Sequence, residues 1–376
     1  MAKNIVICLD GTNNQVRAGG HNTNVVRLFD MLDLRDPNRQ VGYYDPGVGT
    51  FSSPAAWTPI ARTASRYAGS LFGAGMRHNL GEAYCYLMST YEPGDHIFVF
   101  GFSRGAYTAR ALTGMLDVFG ILRQGSENLV PYAISEYTKQ ESKQENLQGS
   151  KRDWSISREY VRIFGGNVGL RHKGHAPVHF VGIWDTVKAA GHLGRQLRWP
   201  FTRQLPHVQT VRHAVSIDEQ RRPFVEYLVY PTSPQHLLKA DQSLVEVWFA
   251  GVHSDVGGAF PKGTQLSNIP LKWMAEQAAH KGLLIRSRSY SSLSKQVGDA
   301  EATGTPHGMK KLWRLLGTRH RTIPTGAMIH ASVEVRIKHD PAYGKRLPPQ
   351  YTFVDRTWAT RMPLPETPRR RRARPQ

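Results

Sequence analysis

Four segments rich in apolar residues are spaced along the chain between residues 5 and 249. They are residues 5–9, 96–100, 178–184 and 245–249. Short apolar runs of this kind are typical of strands that are buried on both faces of a parallel sheet. Apolar positions at helical spacing occur in segments 24–32, 65–91, 106–118 and 271–279, with a break near 72–75, and residues 41–44 are a further strand candidate. This alternation predicts an α/β fold with a mostly parallel central sheet flanked by helices.

The sequence Gly-Phe-Ser-Arg-Gly at 101–105 follows the second apolar segment directly, and a helical pattern resumes at Ala106. Strand, sharp turn and helix is the context in which Gly-x-Ser-x-Gly presents a nucleophilic serine in α/β-hydrolases. Gly101 and Gly105 would let the backbone turn tightly and hold Ser103 in a strained, exposed conformation. The alternative is a glycine-rich turn in which the serine only caps the helix.

A serine hydroxyl becomes a good nucleophile when a base accepts its proton and an acid orients that base. Asp185 ends the third apolar segment and His253 follows the fourth, which is the chain order Ser, Asp, His expected for this fold. We therefore predict a Ser103–His253–Asp185 triad. Asp117 and Asp255 are competing acids, and His253 and Asp185 each have a purely structural alternative in their own loops.

The oxyanion of an acyl-transfer intermediate needs two N–H donors, one of them from the residue after the nucleophile. Arg104 would supply the first donor, and Gly11 or Thr12, after the first apolar segment, would supply the second. Asp10 and Asp255 are expected to order the loops around them. This chemistry requires neither a metal nor a cofactor.

The composition supports a globular protein with a strong positive charge. The chain has 376 residues, 40% of them hydrophobic, and a formal net charge of +20. This charge favours contact with anionic surfaces, and a peripheral contact with anionic membrane is expected ahead of a nucleic-acid partner. Cys8 and Cys85 are too few for a disulfide framework. With no signal-peptide core and no transmembrane segment in view, the expected location is the cytoplasm at synthesis, with signal-independent secretion left open.

The predicted organisation is one catalytic domain and one extension. Residues 1–285 form the catalytic domain, in which the polar stretch 124–174 is interpreted as a lid insertion. Residues 286–376 are interpreted as a basic C-terminal extension. Its arginine-rich end, 369–374, is expected to be a disordered tail.

Two other functions remain open from the residues alone. Asp-Gly-Thr at 10–12 is similar to a haloacid-dehalogenase motif, but Cys8 stands where those enzymes need an aspartate nucleophile. A metal-dependent phosphohydrolase could use Asp10, Asp185, His253 and Asp255 as ligands, with Ser103 as nucleophile. A protein without catalytic activity that binds nucleic acid or other anions would account for the charge.

Seven motifs together resemble a known family, the α/β-hydrolase domain formerly of unknown function that includes phospholipase effectors of type VI secretion. The motifs lie at 9–14, 44–50, 91–95, 101–110, 183–187, 212–219 and 252–258. The resemblance covers about residues 1 to 285. It implies a serine hydrolase that cleaves phospholipid or other acyl esters, with Ser103, His253 and Asp185 at the family's catalytic positions.

Overall fold

Eight parallel strands form one sheet in the part of the chain that the structure describes. The computed structural model describes residues 2–11, 14, 16, 22–47, 69–139, 154–165, 178–187, 199–229, 242–260, 265–308, 317–361 and 364. The strands are β1 (Asn4–Leu9), β2 (Gln40–Asp45), β3 (His96–Phe102), β4 (Val178–Trp184), β5 (Val208–Ser216), β6 (Ser243–Phe249), β7 (Ala327–His330) and β8 (Tyr351–Val354). Their order across the sheet is β2-β1-β3-β4-β5-β6-β7-β8. The predicted α/β architecture with a parallel sheet is confirmed.

Helices cover both faces of this sheet. One face carries α2 (Gly69–Thr90), α3 (Arg104–Phe119), α4 (Val130–Lys139) and α5 (Ser155–Phe164). The other face carries α1 (Asn24–Met31), α6 (His253–Gly257), α7 (Gln265–Ala279), α8 (Ser287–Ser294) and α9 (Asp299–Ala302). Both faces of β1 are buried, because Ile5 and Ile7 pack on the first side while Val6 and Cys8 pack on the second.

Helix α2 is continuous over Gly69–Thr90, so the predicted break near residues 72–75 is absent. Glycine disfavours a helix interior, but the apolar residues that follow bury the helix against the sheet and stabilise it. None of the helices within the described ranges has the length and apolarity needed to cross a bilayer.

The sheet reverses its strand order between β1 and β3. The chain passes from β1 outward to β2 and then returns across β1 to β3. In open parallel sheets such a reversal leaves a crevice outside the carboxyl ends of the two central strands, and ligands bind in that crevice. Gly11 and Ser103 follow the two strands that border it.

The segment after residue 285, predicted to be a basic C-terminal extension, takes part in the sheet. It supplies β7 and β8 and also α10 (Ser332–His339), and β7 pairs with β6. Two of its arginines have acidic partners in the rest of the fold: Arg346 contacts Asp218 and Arg361 bonds to Glu276. The arginine-rich end at 369–374 lies outside the described residues.

Helix α5, which is part of the proposed lid, lies away from Ser103. Its Tyr160 ring is 5.9 Å from the ring of Phe119, the last residue of α3. Because α3 begins beside Ser103 and is about 24 Å long, this contact is at the end remote from the serine. Residues 140–153 and 166–174 of the proposed lid lie outside the described ranges.

Candidate active site

Ser103 lies in a tight turn between β3 and α3. Its φ of 59° and ψ of −120° are in a strained region of the backbone map for a residue with a side chain. The flanking glycines make the turn possible: a Cβ atom on Gly101 would lie 2.6 Å from the carbonyl oxygen of Gly105, and one on Gly105 would collide with backbone oxygens of Leu9 and Asp10. The turn therefore has the geometry of a nucleophile elbow.

His253 is the first residue of α6 and reaches the serine directly. Its Nε2 atom is 2.9 Å from the Ser103 hydroxyl oxygen. The imidazole is buried between aromatic rings, with centroid distances of 4.6 Å to Phe102 and 4.9 Å to Phe224. This packing holds the ring in one orientation toward the serine.

Asp185 follows β4 and accepts a hydrogen bond from the second ring nitrogen of His253. The His253 Nδ1 atom is 2.5 Å from Asp185 Oδ2, and the backbone N–H of Ser216 donates to Oδ1 at 2.8 Å. An ionised carboxylate only accepts hydrogen bonds, so Nδ1 carries the proton and Nε2 accepts from the Ser103 hydroxyl. Three residues separated along the chain thus form one hydrogen-bonded series.

The two competing acids have other partners. Asp117 contacts His207 near the end of α3, about 20 Å along the helix from Ser103. Asp255 accepts from His307 Nδ1 at 2.6 Å and from the N–H of Val252 at 2.9 Å, which caps α6. Among these three acids, Asp185 is the one that contacts His253.

Arg321 also belongs to the site, although the sequence analysis did not single it out. Its Nη2 atom donates to Asp185 Oδ2 at 2.9 Å, and its Nη1 atom contacts Oδ1. Both side chains are almost completely buried. The guanidinium is held from behind by Ser216 and Phe224, whose oxygens accept at 2.8 Å.

The two acid–base groups have pKa values that suit a neutral histidine beside an ionised carboxylate. Burial alone raises the pKa of the Asp185 carboxyl, but Arg321 and His253 outweigh burial and hold that pKa well below its usual range. Burial lowers the pKa of His253 below its ordinary value of 6.5, and contact with Asp185 offsets part of this effect. At neutral pH the imidazole is therefore available as a base.

Gly11, a predicted source of an oxyanion N–H donor, lies next to Ser103. A Cβ atom on Gly11 would lie 3.2 Å from the Cβ of Ser103. Its N–H, however, donates to Asp10 Oδ1 at 2.7 Å, so this amide would have to leave Asp10 to serve a substrate. Arg104 is the first residue of α3, where backbone N–H groups have no acceptor within the helix. Thr12 lies outside the described residues.

Asp10 connects the loop after β1 to its neighbours. It accepts from Thr23 Oγ1 at 2.6 Å and from the Tyr44 hydroxyl at 3.1 Å, in addition to Gly11. Burial raises its pKa to about 6, against the effect of these hydrogen bonds. These contacts are those of a residue that orders the loop.

Two further acids, Asp218 and Glu219, hold the loop that carries His253. Glu219 accepts from the backbone N–H of His253 at 3.2 Å, and Asp218 accepts from Gly251 N–H at 2.7 Å and from the Tyr343 hydroxyl at 2.7 Å. Both acids lie in the motif at 212–219, but no role was predicted for them. Their position two and three residues after β5 was the available signal.

A second buried histidine supports the loop that carries Asp185. His213 Nδ1 is 2.7 Å from Glu246 Oε2, and Thr186 N–H donates to His213 Nε2 at 3.3 Å. This pair of contacts fixes a neutral His213 with its proton on Nδ1. The backbone directly after Asp185 is therefore anchored to β5.

The four ligands of the metal hypothesis are not brought together as a set. Within the described ranges, no group of three or more His, Cys, Asp or Glu side chains is arranged to hold a metal ion. Asp185 uses both carboxylate oxygens on protein donors, and Asp255 pairs with His307. This geometry favours acid–base chemistry over metal ligation.

The family described as "T6SS, Phospholipase effector Tle1-like, catalytic domain" matches residues 3–277. The chain belongs to this family. The resemblance found in the seven motifs is thereby confirmed. Ser103, Asp185 and His253 lie within the matched range, whereas Arg321 lies beyond the last matched residue of this Tle1-like domain.

Three individual relatives are between 18% and 33% identical to this Tle1-like chain over the residues that align. The uncharacterized protein YEL023C of Saccharomyces cerevisiae is 33% identical over 235 residues, which cover 61% of this chain and 33% of that protein. An uncharacterized protein from Pseudomonas aeruginosa, known from a crystal structure, is 18% identical with a TM-score of 0.43 over 93% of this chain and 56% of that chain. The Tle1 effector bound to the VgrG spike of the type 6 secretion system is 18% identical with a TM-score of 0.33 over 69% and 51%. The chain thus spans between a third and just over half of the length of these relatives.

Proposed function

We propose that the chain is a serine hydrolase that cleaves acyl esters of phospholipids through a covalent acyl-enzyme. The observation that carries the proposal is the hydrogen-bonded series from the Ser103 hydroxyl through His253 to Asp185, with distances of 2.9 Å and 2.5 Å. These are the contacts that a nucleophile, a base and an orienting acid require. Membership of a family of phospholipase effectors supports the lipid ester as substrate.

In the first half of the reaction, the Ser103 oxygen forms a bond to the ester carbonyl carbon while its proton passes to His253 Nε2. Asp185 stabilises the resulting imidazolium without taking a proton itself. The intermediate then collapses. The bond from the carbonyl carbon to the alcohol oxygen breaks, His253 gives its proton to that oxygen, and the lysophospholipid leaves while the acyl group stays on Ser103.

In the second half, water attacks the acyl-enzyme. The water loses a proton to His253, its oxygen bonds to the carbonyl carbon, and collapse returns the proton to Ser103 as the fatty acid leaves. The tetrahedral intermediate of each half-reaction carries a negatively charged oxygen. We assign the hydrogen bonds that stabilise this oxygen to the Arg104 N–H and to an amide of the loop at Gly11 and Thr12. Removal of one such donor costs a factor of about 100 to 1,000 in kcat in enzymes of this type.

The positive net charge of the protein supports a phospholipid at a membrane surface as the substrate. The formal net charge of +20 would concentrate the protein at anionic lipid surfaces, where each basic residue near the surface contributes about 1 kcal/mol. We therefore propose a peripheral contact with anionic membrane. The family description names type VI secretion, and we extend export by that route to this chain as part of the proposal. Loss of export in a producer that lacks this secretion apparatus would test it.

The test of the reaction is release of fatty acid from vesicles of phosphatidylglycerol and phosphatidylethanolamine. Ser103→Ala should abolish release, because no other group can form the acyl-enzyme. Ser89→Ala, which changes an exposed serine of α2, is the matched control and should keep the wild-type rate. Equal turnover by wild type and Ser103→Ala would remove the serine from the mechanism.

A fluorophosphonate label separates this proposal from the two alternatives. Covalent labelling at Ser103, absent in Ser103→Ala, is expected of an activated serine. A protein that only binds anions would not be labelled and would bind DNA in a salt-sensitive manner. A metal-dependent phosphohydrolase would lose activity on chelation, which the proposed mechanism survives.

A further inference from the structure

Arg321 approaches the site from the segment that precedes β7, 136 residues beyond Asp185. Each of its two terminal nitrogens contacts one oxygen of the Asp185 carboxylate. Oδ2 of the same carboxylate also accepts from His253 Nδ1 at 2.5 Å. The aspartate therefore bridges a permanent cation and the catalytic base, and the Ser103 hydroxyl follows next in the series.

Further hydrogen bonds orient the Arg321 guanidinium toward Asp185. Nη1 also donates to the carbonyl and hydroxyl oxygens of Ser216 at 3.1 and 2.8 Å, and Nη2 donates to the carbonyl of Phe224 at 2.8 Å. Nε, by contrast, is buried without a hydrogen-bond partner. An unsatisfied buried donor is unfavourable and calls for an explanation. Here the orientation that leaves Nε unpaired is the one that brings both terminal nitrogens to the carboxylate.

We propose that Arg321 is a positioning residue of the hydrolase reaction, which holds the Asp185 carboxylate toward His253 and sets the pH at which His253 becomes available as a base. The inference rests on the proposed function, because it concerns the same base and nucleophile. It adds a residue that lies outside the range 3–277 matched by the family of catalytic domains.

The effect of Arg321 on the protonation of His253 follows from the net charge of the buried cluster that they form with Asp185. With Arg321 present, Arg321, Asp185 and His253 together are neutral when the imidazole is neutral and carry +1 when it is protonated. Without Arg321, the remaining pair carries −1 when the imidazole is neutral and zero when it is protonated. Since burial disfavours net charge, loss of Arg321 makes protonation of the pair easier. The base would then lose activity at a higher pH than in the wild type.

Other ionisable groups near the series are common to every variant considered below. They are Glu219 and Arg221 after β5, His213 on β5, Glu226 near Arg321, and Asp255 with its partner His307 beside α6. A change confined to residue 321 therefore reports on Arg321 against a constant background.

The experiment follows the rate of fluorophosphonate labelling of Ser103 in the full chain from acidic to alkaline pH. In Arg321→Met, the pH at which labelling is half-maximal should rise by about one unit or more relative to the wild type. Arg321→Lys keeps the charge but lacks the two-pronged contact, so it should keep the wild-type midpoint with a maximal rate lower by about tenfold. Arg336→Met, which removes another buried arginine of the same segment, should leave the midpoint unchanged.

An Arg321→Met protein that is folded and labelled with the wild-type midpoint would overturn the inference. Should that variant fail to fold, Arg321→Lys decides: a reduced maximal rate supports positioning, and a wild-type rate overturns it. Absence of labelling in the wild type would instead overturn the proposed function. Labelling without phospholipid hydrolysis would overturn only the substrate assignment, and the role of Arg321 would still be measured.

Discussion

Gly11 and Ser103 lie against each other across the crevice between β1 and β3, with little room for a side chain at residue 11. A Cβ atom there would lie 2.8 Å from Asn14 Nδ2, 3.2 Å from Ser103 Cβ and 3.3 Å from the Phe102 carbonyl oxygen. The backbone after β1 therefore packs closely against the turn that carries Ser103. An added methyl group would have to move the Asn14 side chain and would press against this turn.

Gly11→Ala is accordingly expected to lower kcat for ester hydrolysis by about tenfold or more, because displacements well below 1 Å matter at a reacting centre. The added methyl should cost about 1–3 kcal/mol in the free energy of unfolding. Gly308→Ala, at an open position where a Cβ atom meets nothing within 4 Å, is the control. Equal kcat for both variants would contradict a tight approach of the loop to Ser103.

Asp185→Asn should lower kcat by a factor on the order of 10⁴, because the amide no longer fixes the imidazole tautomer that accepts the Ser103 proton. It should also destabilise the fold by about 3 kcal/mol or more, since Arg321 would be left buried without a counter-ion. Activity is measured with a short-chain ester and stability by urea unfolding.

The double variant Asp185→Asn with Arg321→Met separates these two effects. Removal of both charges should recover much of the lost stability, and activity should stay low because the tautomer is still not fixed. If the double variant loses as much free energy of unfolding as the two single variants together, the ion pair is not what links these positions.

Gly105→Ala tests the close packing of α3 on β1. The new Cβ atom would collide with the backbone oxygens of Leu9 and Asp10, at the end of a central strand where the backbone cannot move aside easily. We expect a loss of about 3 kcal/mol or more in the free energy of unfolding, or insoluble protein. A stable, active Gly105→Ala protein would contradict the described geometry of the elbow.

Asp10→Asn tests a buried carboxyl group through the pH dependence of stability. Burial raises the pKa of Asp10 from 3.8 to about 6, so the folded state holds this proton more tightly than the unfolded state. The associated stability is complete below the unfolded value and is lost as pH rises through about 6. A shift of this size corresponds to on the order of 3 kcal/mol.

The asparagine variant does not titrate, so its free energy of unfolding relative to the wild type should increase from acidic to neutral pH. Urea unfolding at a series of pH values measures this difference. Asp30→Asn, at a highly exposed carboxyl, is the matched control. A difference between Asp10→Asn and wild type that does not change with pH would refute the raised pKa.

The sequence predicted those parts of the fold whose signal is local. The apolar runs at 5–9 and 96–100 became β1 and β3, because strands buried on both faces must be apolar throughout. The Gly-x-Ser-x-Gly turn was recognisable because its glycines and its serine are adjacent in the chain. Strand β5 was not predicted. Its Arg212 and His213 look like surface residues, yet they are buried against partners elsewhere in the chain, Gln277 and Glu246.

The contacts of the C-terminal segment could not be predicted for the same physical reason. In the sequence Arg321, Arg346 and Arg361 are part of a basic extension, whereas in the fold they contact Asp185, Asp218 and Glu276. Charge counted along the sequence cannot show which ions will be paired in three dimensions. The positions of Asp185 and His253 at strand ends could be predicted, but the arginine that contacts the aspartate leaves no local pattern.

The distance along the chain between Asp185 and Arg321 also has a consequence for biosynthesis. A ribosome that has translated the serine, the aspartate and the histidine has not yet added the guanidinium that holds the aspartate in place. The nascent polypeptide would therefore lack the arrangement needed for full activity until the segment that carries Arg321 has emerged and folded. This order of assembly would delay activity until well after the serine, the aspartate and the histidine have been made.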